Sequence, residues 1–485
     1  MRRRIVRCVL SISFVTVLAL VATTCATNPV TGKSEFMLLS PQDEIAMGKQ
    51  TDPEIIASYG VYEDADLAGY LAGVGKRLGA ASHQPNVPYT FKVLDSPVVN
   101  AFAVPGGYVY VTRGILAYLN DEAELAGVIS HEIGHIAARH SAQQYSKAQA
   151  AQLGLGIGSV LSPTFAKFAG LAEAGISMLF LSFSRENERE ADNLGVLYSS
   201  KTGFDARQMA NLFVTLERLD PSGGSDGLPA WFSTHPNPPD RIAAIRKAAD
   251  EWRAANPGAA LAVNRDQYLR QLDGLVVGED PRRGYVAGQV FYHPELRFQF
   301  PVPAGWVVNN TASQVQIFTE QQDAAILLSI AAEGTPAAAA DAFVAGTRAA
   351  VVSSAPASVN GLAAQRLVCD VATDSGVLRA LCYFIRKDAV VYGFLGYTEQ
   401  TAFDGRLATF EGTMKGFRGL TDAARINVRP DRLALRKVTR AVTLRQALLD
   451  FGVPQEALEE HAIMNGRELT ETVAANASLK IVVDY

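Results

Sequence analysis

The sequence predicts an α+β protein in three parts. A mainly helical first part carries a small β-sheet, an antiparallel α+β region follows, and a small α/β module closes the chain. Three observations predict this. Apolar residues recur at helical spacing through most of the first 255 positions, broken by one short group of alternating segments. From Phe291 to Arg418 the pattern changes to that of strands, and two short helical patterns and a strand-like run end the chain. A chain of 485 residues is long enough for about two to four domains. Its 48% hydrophobic and 19% charged residues describe a globular protein, and a net charge of -5 gives no reason to expect nucleic acid as a partner.

Residues 1–25 read as a signal peptide of lipoprotein type. Arg2, Arg3, Arg4 and Arg7 precede an apolar run from Cys8 to Ala22, which is short for a membrane span. Cys25 follows small residues and is the expected site of acylation, on a protein exported to the bacterial periplasm. Ala26 after it carries no aspartate retention signal, so the expected anchorage is the outer membrane.

Residues 26–255 form the first domain. Ser40–Glu44 opens a helix, and Asp64–Leu78 forms another, with Leu67, Leu71, Val74 and Leu78 on one face. Tyr89–Leu94 alternates as a strand does. Asn100–Val104 and Tyr108–Thr112 make a hairpin through Pro105, Gly106 and Gly107.

The next helix carries the chemistry. Asp121 and Glu124 form a capping box, and Leu125, Val128, Ile129, Ile133 and Ile136 make a broad apolar face. On this helix His131 and His135 stand one turn apart on the same face, where one cation can take both imidazoles. Glu132 lies about 100° round the helix, placed for a water rather than for the metal. Gly127, Gly134 and Ala138 run beside the histidine stripe and leave room for a partner helix. His140 is read as a helix-end residue facing away from the pair, near the negative end of the dipole.

The segment from Ala148 to Phe183 is rich in Gly, Ala and Leu, but Pro163, Lys167 and Glu173 interrupt it before it reaches the length of a span. It reads as a pair of lid-like helices. Ser184–Asp192 starts a helix that runs to about Ser200, and another covers Asp205–Leu219. Pro221–Pro229 is a flexible loop, Trp231–Pro239 is extended, and Asp240–Trp252 is helical.

Two histidines need a third protein ligand. A histidine six residues past the second one is ruled out, because that position is Ser141. A glutamate from the acidic stretch is the other solution, and Glu186, Glu188 and Glu190 all qualify on spacing. Glu188 and Asp192 are one turn apart, so Glu188 can bind metal while Asp192 orients a histidine.

Residues 256–284 read as a linker, closed by Gly278–Gly284. The antiparallel α+β domain, 285–420, takes strands at Arg297–Val302, Gln314–Thr319, Ala324–Ala331, Ala364–Ala372, Leu378–Arg386 and Ala389–Tyr397, with helices at Ala337–Ser353 and Thr401–Met414. A two-residue loop at Ser375 and Gly376 sets Cys369 directly opposite Cys382, and a disulfide is expected there in an oxidising compartment. The module at 425–485 has helices at Thr443–Leu449 and Gln455–Asn465 and a strand at Leu479–Val483.

His131-Glu-Ile-Gly-His135, together with Ser184-Arg-Glu-Asn-Glu-Arg-Glu-Ala-Asp192, resembles the HtpX and CAAX prenyl endopeptidase family of HExxH zinc metallopeptidases. Within it the chain is similar to the periplasmic BepA-like lipoprotein branch, which also shows Asn100–Gly107, Ser233-Thr-His-Pro236 and a Cys25–Gly32 start. The resemblance covers about residues 25–250. It implies a gluzincin-type fold, one Zn2+ per chain held by His131, His135 and Glu188 with Asp192 as companion, and Glu132 as general base. It also makes His235 and Arg241 candidates for stabilising the oxyanion, or His235 an occupant of the open zinc position. Asn100, Ala101, Phe102 and Ala103 become an edge strand that pairs with an extended substrate. The implied activity is metalloendopeptidase cleavage of unfolded or misassembled envelope proteins. The alternative is a metal-bound chaperone or assembly factor with a gated or seldom-used peptidase centre. The chain lacks the helical repeats of that branch, and its last module is faintly similar to LysM-like glycan-binding modules. A protein or cell-wall partner of the C-terminal domains is therefore a further expectation.

Overall fold

In the computed structural model, described over residues 25–152, 183–219, 231, 235, 240–332, 334–373 and 376–484, the chain forms two compact units. The first takes in residues up to Ile55, then Val61–Val277 and Arg432–Val483. The second takes in Ile56–Gly60 and Gly278–Asp431. The expected signal peptide before Cys25 and most of the expected lid, beyond Gln152, lie outside the described residues. No helix among the described residues is long and apolar enough to cross a membrane.

The first unit opens with a short antiparallel pair, β1 (Cys25–Thr27) and β2 (Ser34–Phe36). Helices α1 (Pro41–Tyr59) and α2 (Ala65–Ala80) follow, the latter capped by Asp64, whose side chain accepts from the Leu67 N–H. Next come β3 (Thr90–Leu94), β4 (Ala101–Val104) and β5 (Tyr108–Thr112). They form one sheet in the order β3-β5-β4, parallel between β3 and β5 and antiparallel between β4 and β5. The expected hairpin is there, and β4 is left as an edge of the sheet. The turn needs its glycines. Gly106 and Gly107 have φ of 86° and 101°, and a Cβ on Gly106 would lie 2.7 Å from the Glu44 carbonyl oxygen.

A short α3 (Arg113–Tyr118) leads into α4 (Glu122–Ala137), the histidine helix, whose every residue is buried. It lies inside the core although it carries charged and polar side chains, and the sheet, α2 and α6 (Arg185–Lys201) surround it. Between α4 and α6 lies α5 (His140–Gln152). Behind them come α7 (Met209–Leu219), α8 (Arg241–Ala255) and α9 (Arg265–Gln271). The small residues on α4 act as the sequence suggests. A Cβ on Gly127 would come within 2.7 Å of the Met209 Cβ, and one on Gly134 within 3.1 Å of the Ala191 carbonyl oxygen. That absence of side chains is what lets α6 lie close against α4.

Two boundaries differ from the sequence reading. The expected linker is not free chain: Tyr268, Leu269 and Leu272 of α9 and its end are fully buried in the core of the first unit. The C-terminal segment, with strand Asp431–Lys437, helices Leu444–Asp450 and Leu458–Met464 and strand Ser478–Asp484, belongs to that unit for nearly its whole length. It keeps a small core of its own around Leu444, Leu448, Leu458 and Leu479, and the first and last strands pair.

The second unit is built on a seven-stranded antiparallel sheet and a four-stranded one. Helices Pro336–Thr347 and Phe403–Lys415 accompany them. The six expected strands are present. The expected helix to Ser353 stops at Thr347, because Arg348 takes a left-handed φ of 54°; Ala350–Val359 then forms an edge strand. The expected disulfide is absent. Thr373 pairs with Gly376, which sets Cys369 against Ala380 and Cys382 against Leu367. The two cysteines are therefore diagonal rather than opposed, and both are buried free thiols.

Candidate metal centre

The site forms where α4, α6 and the start of α8 meet in the first unit. Capping sets the first helix: the Asp121 side chain accepts from the Glu124 N–H at 2.8 Å, and the Glu124 carboxyl accepts from the Asn120 N–H at 2.7 Å. The box thus closes on Asn120, one residue ahead of the cap. From this start His131 and His135 come to one face two turns later. Their Nε2 atoms lie 3.0 Å apart. Helix α6 begins with a Ser184–Asn187 capping box and brings up Glu188, whose Oε1 is 3.4 Å from His135 Nε2 and whose Oε2 is 3.6 Å from His131 Nε2. Of the three candidate glutamates, Glu188 is buried on the histidine face, Glu186 is exposed, and Glu190 points elsewhere.

His235 joins them. Its Nδ1 is 3.3 Å from His131 Nε2 and 2.9 Å from Glu188 Oε1. His131, His135, Glu188 and His235 are all buried, and one donor atom from each lies within 4.8 Å of the others. The His235 N–H donates to the Trp231 carbonyl at 2.9 Å, and the indole stacks on the His235 ring at 4.5 Å. Most of the stretch expected to be extended, Trp231–Pro239, lies outside the described residues. Phe183 stacks on His135 at 3.9 Å.

Supporting groups hold the donors. Asp192 Oδ1 sits 3.0 Å from His131 Nδ1, on the ring edge away from the other donors, as the one-turn spacing from Glu188 suggests. Arg241 is buried and grips Asp192 with two hydrogen bonds of 2.7 and 2.8 Å, reaches Glu188 Oε2 at 2.9 Å, and lies over the Phe213 ring at 4.2 Å. Against expectation His140 is buried and touches the site, 3.0 Å from His135.

The electrostatics suit a cation. Burial holds His131 below and His135 well below the ordinary imidazole range, so both rings are neutral and can donate a lone pair. Burial also works to raise Glu188, but His235, His135 and His131 outweigh it, and the carboxylate is held well below its usual range. For His235 burial is opposed by Glu188 and Glu132, with a net rise. Glu132 is pushed up to about 8, by burial first, with His235 and Arg241 pulling down and Glu188 pushing up. Its Oε1 is buried with no hydrogen-bond partner among the described residues, and it lies 3.7 Å from His235 Nε2. The backbone of Ala103 on edge strand β4 hydrogen-bonds the same carboxyl. Two neutral imidazoles and an ionised carboxylate fit a divalent transition metal. The unpartnered Glu132 oxygen beside them fits a water.

Residues 65–249 match the family model described as peptidase family M48. Among curated relatives, the putative beta-barrel assembly-enhancing protease of Vibrio cholerae is 33% identical over 217 residues, 43% of this chain and 44% of the relative. The beta-barrel assembly-enhancing protease of Escherichia coli K12 is 31% identical over 236 residues, 47% of this chain and 48% of the relative. The mitochondrial metalloendopeptidase OMA1 of Schizosaccharomyces pombe is 34% identical over 233 residues, 46% of this chain and 65% of the relative. The chain spans about half the length of the bacterial relatives.

Proposed function

We propose, from the match of residues 65–249 to the peptidase family M48 model, that the chain is a zinc-dependent metalloendopeptidase of the bacterial cell envelope. The observation that carries the reading is the convergence of four buried donor side chains beside an unpartnered Glu132 oxygen. His131, His135 and Glu188 would hold one Zn2+ per chain, which would supply a Lewis acid for the scissile carbonyl and acidify a water. Glu132 takes the proton of the attacking water and gives it to the leaving amine. Its buried, unpartnered oxygen is placed for that task.

The other residues position and exclude. Asp192 fixes the proton of His131 on Nδ1, and Arg241 locks Asp192. Trp231 and Phe183 cover the imidazoles and keep bulk water out. Edge strand β4 with Asn100–Ala103 offers its backbone to an extended substrate, and the Ala103 link to Glu132 brings that strand beside the base. Pairing of this kind reads backbone rather than side chains, which suits unfolded or misassembled envelope proteins. The names of the bacterial relatives speak of β-barrel assembly, which supports assembling β-barrel proteins as one such class. Lipid on Cys25 would hold the protein at the outer membrane, on its periplasmic side.

His235 Nδ1 lies 3.3 Å from His131 Nε2 and 2.9 Å from Glu188 Oε1, so it would compete with a water for a bound ion. That favours a gated centre, in which His235 swings aside toward Glu132 and Arg241 to meet the oxyanion. A chaperone or assembly factor with a seldom-opened centre is the second reading. The Glu132→Gln protein tests both. It should keep its zinc and fold and lose casein cleavage by about 100-fold or more. Undiminished cleavage removes Glu132 from the chemistry. Envelope phenotypes that survive the change intact favour the assembly factor.

A further inference from the structure

We infer that His140 and Glu190 form a hydrogen-bonded support that fixes the metal ligand His135, as Asp192 does for His131; the inference rests on the metal-site reading above. The geometry assigns every proton in the chain. His135 Nε2 faces His131 Nε2 at 3.0 Å and Glu188 Oε1 at 3.4 Å, so this nitrogen takes the metal and carries no hydrogen. In the neutral ring the proton is then on Nδ1, which lies 3.0 Å from His140 Nδ1. It donates there, and His140 Nδ1 accepts. The His140 proton must therefore sit on Nε2, which is 3.1 Å from Glu190 Oε2 and donates to it. The reverse order fails at both ends. It would put the hydrogen of His135 on the metal-facing nitrogen and leave a bare His140 nitrogen against a carboxylate.

The backbone shows how His140 reaches that place. On a continuous helix it would stand about 140° round from His135, facing elsewhere. Helix α4 stops at Ala137, and Arg139 takes a left-handed φ of 58° before α5 starts at His140. For a residue other than glycine this conformation is strained. The conformation is held by the buried Arg139 side chain, whose Nε donates to Glu44 at 2.6 Å and whose other nitrogen donates to the Leu39 carbonyl at 2.7 Å. The result is a histidine only 1% exposed, turned back onto a metal ligand. Backbone strain of this kind, secured by a distant ion pair, is a mark of a functional position. Glu190 closes the arrangement from α6, two residues after the ligand Glu188, so both histidines of α4 are braced by that one helix.

The test is metal binding, read apart from catalysis. Zn2+ affinity is measured by chelator competition, and the Co2+-substituted protein reports ligand geometry through its visible absorption. His140→Ala should weaken Zn2+ binding by about 10–100-fold and shift the Co2+ bands. His140→Asn, whose side-chain oxygen can accept where Nδ1 did, should recover most of both. Glu190→Gln, a near-isosteric change on a side chain 26% exposed, should weaken binding several-fold without threatening the fold. Wild-type affinity and an unchanged Co2+ spectrum in His140→Ala, or in Glu190→Gln should the alanine variant not fold, overturn the inference. A wild-type protein that binds no metal overturns the metal-site reading itself.

Discussion

In the second unit, burial, with Arg283 adding to it, drops the His293 pKa to about 4, and its Nδ1 accepts the Leu296 N–H. The unfolded chain binds the proton near 6.5 and the folded unit only near 4. Stability is therefore full above pH 6.5, falls as pH drops from 6.5 to 4, and is flat below. The loss reaches up to about 3 kcal/mol, at about 1.4 kcal/mol per pH unit. Urea unfolding of the second unit at pH 7 and pH 5 should show the loss in wild type and not in His293→Gln. Equal loss in both would dismiss this histidine. In the first unit, the shared face of His131 and His135 is legible in the sequence, because helical spacing alone sets it. Glu188 is legible only as one of three, since glutamates two residues apart project to different sides of a helix whose rotation depends on tertiary packing. The structure turns α6 so that Glu188 faces the histidines and Glu190 faces His140. The place of His140 is not legible, because it follows from a left-handed Arg139, for which the local sequence carries no glycine signal.

Among elements, the contact between α4 and α6 matters most, because it sets the distance between the imidazoles and Glu188. Gly134 is a tight point of that contact: a Cβ there would lie 3.1–3.2 Å from atoms of Ala191 and Leu194. Gly134→Val should push the helices apart, at about 1–3 kcal/mol of stability for overpacking. Zinc affinity should fall with it, although no ligand is changed. A thermal melt and a chelator titration check this, and unchanged zinc binding would show that the helices can yield without moving Glu188. Helix ends and β-registers were less legible than the elements themselves. Nothing in the apolar pattern shows that Arg348 adopts a left-handed cap, so the predicted helix ran into what is edge strand Ala350–Val359. Cys369 and Cys382 were paired by counting from an assumed turn, and one step of hairpin register places them on the diagonal.

At the scale of the molecule, the division into parts was the least legible feature, because it depends on which apolar faces meet. Helix α9 has only a short pattern, yet it fills the first core. The C-terminal segment reads as a separate module and belongs with the peptidase unit. Lys480 shows how: its fully buried ammonium donates to the Ala117 and Leu119 carbonyls at 2.7 Å each, just ahead of the histidine helix. Lys480→Met leaves two buried carbonyls without that donor and should cost about 1–3 kcal/mol in the first unit. Differential scanning calorimetry should show its transition lowered, and an unchanged transition would mean the last strand is dispensable there. The proposed chemistry needs His131, His135 and Glu188 to hold one ion. Zinc counted per chain, by elemental analysis, in purified wild-type, Glu132→Gln and Glu188→Ala proteins tests this most directly. One zinc in each of the first two and little in the third is the predicted result. Full occupancy in Glu188→Ala would contradict it.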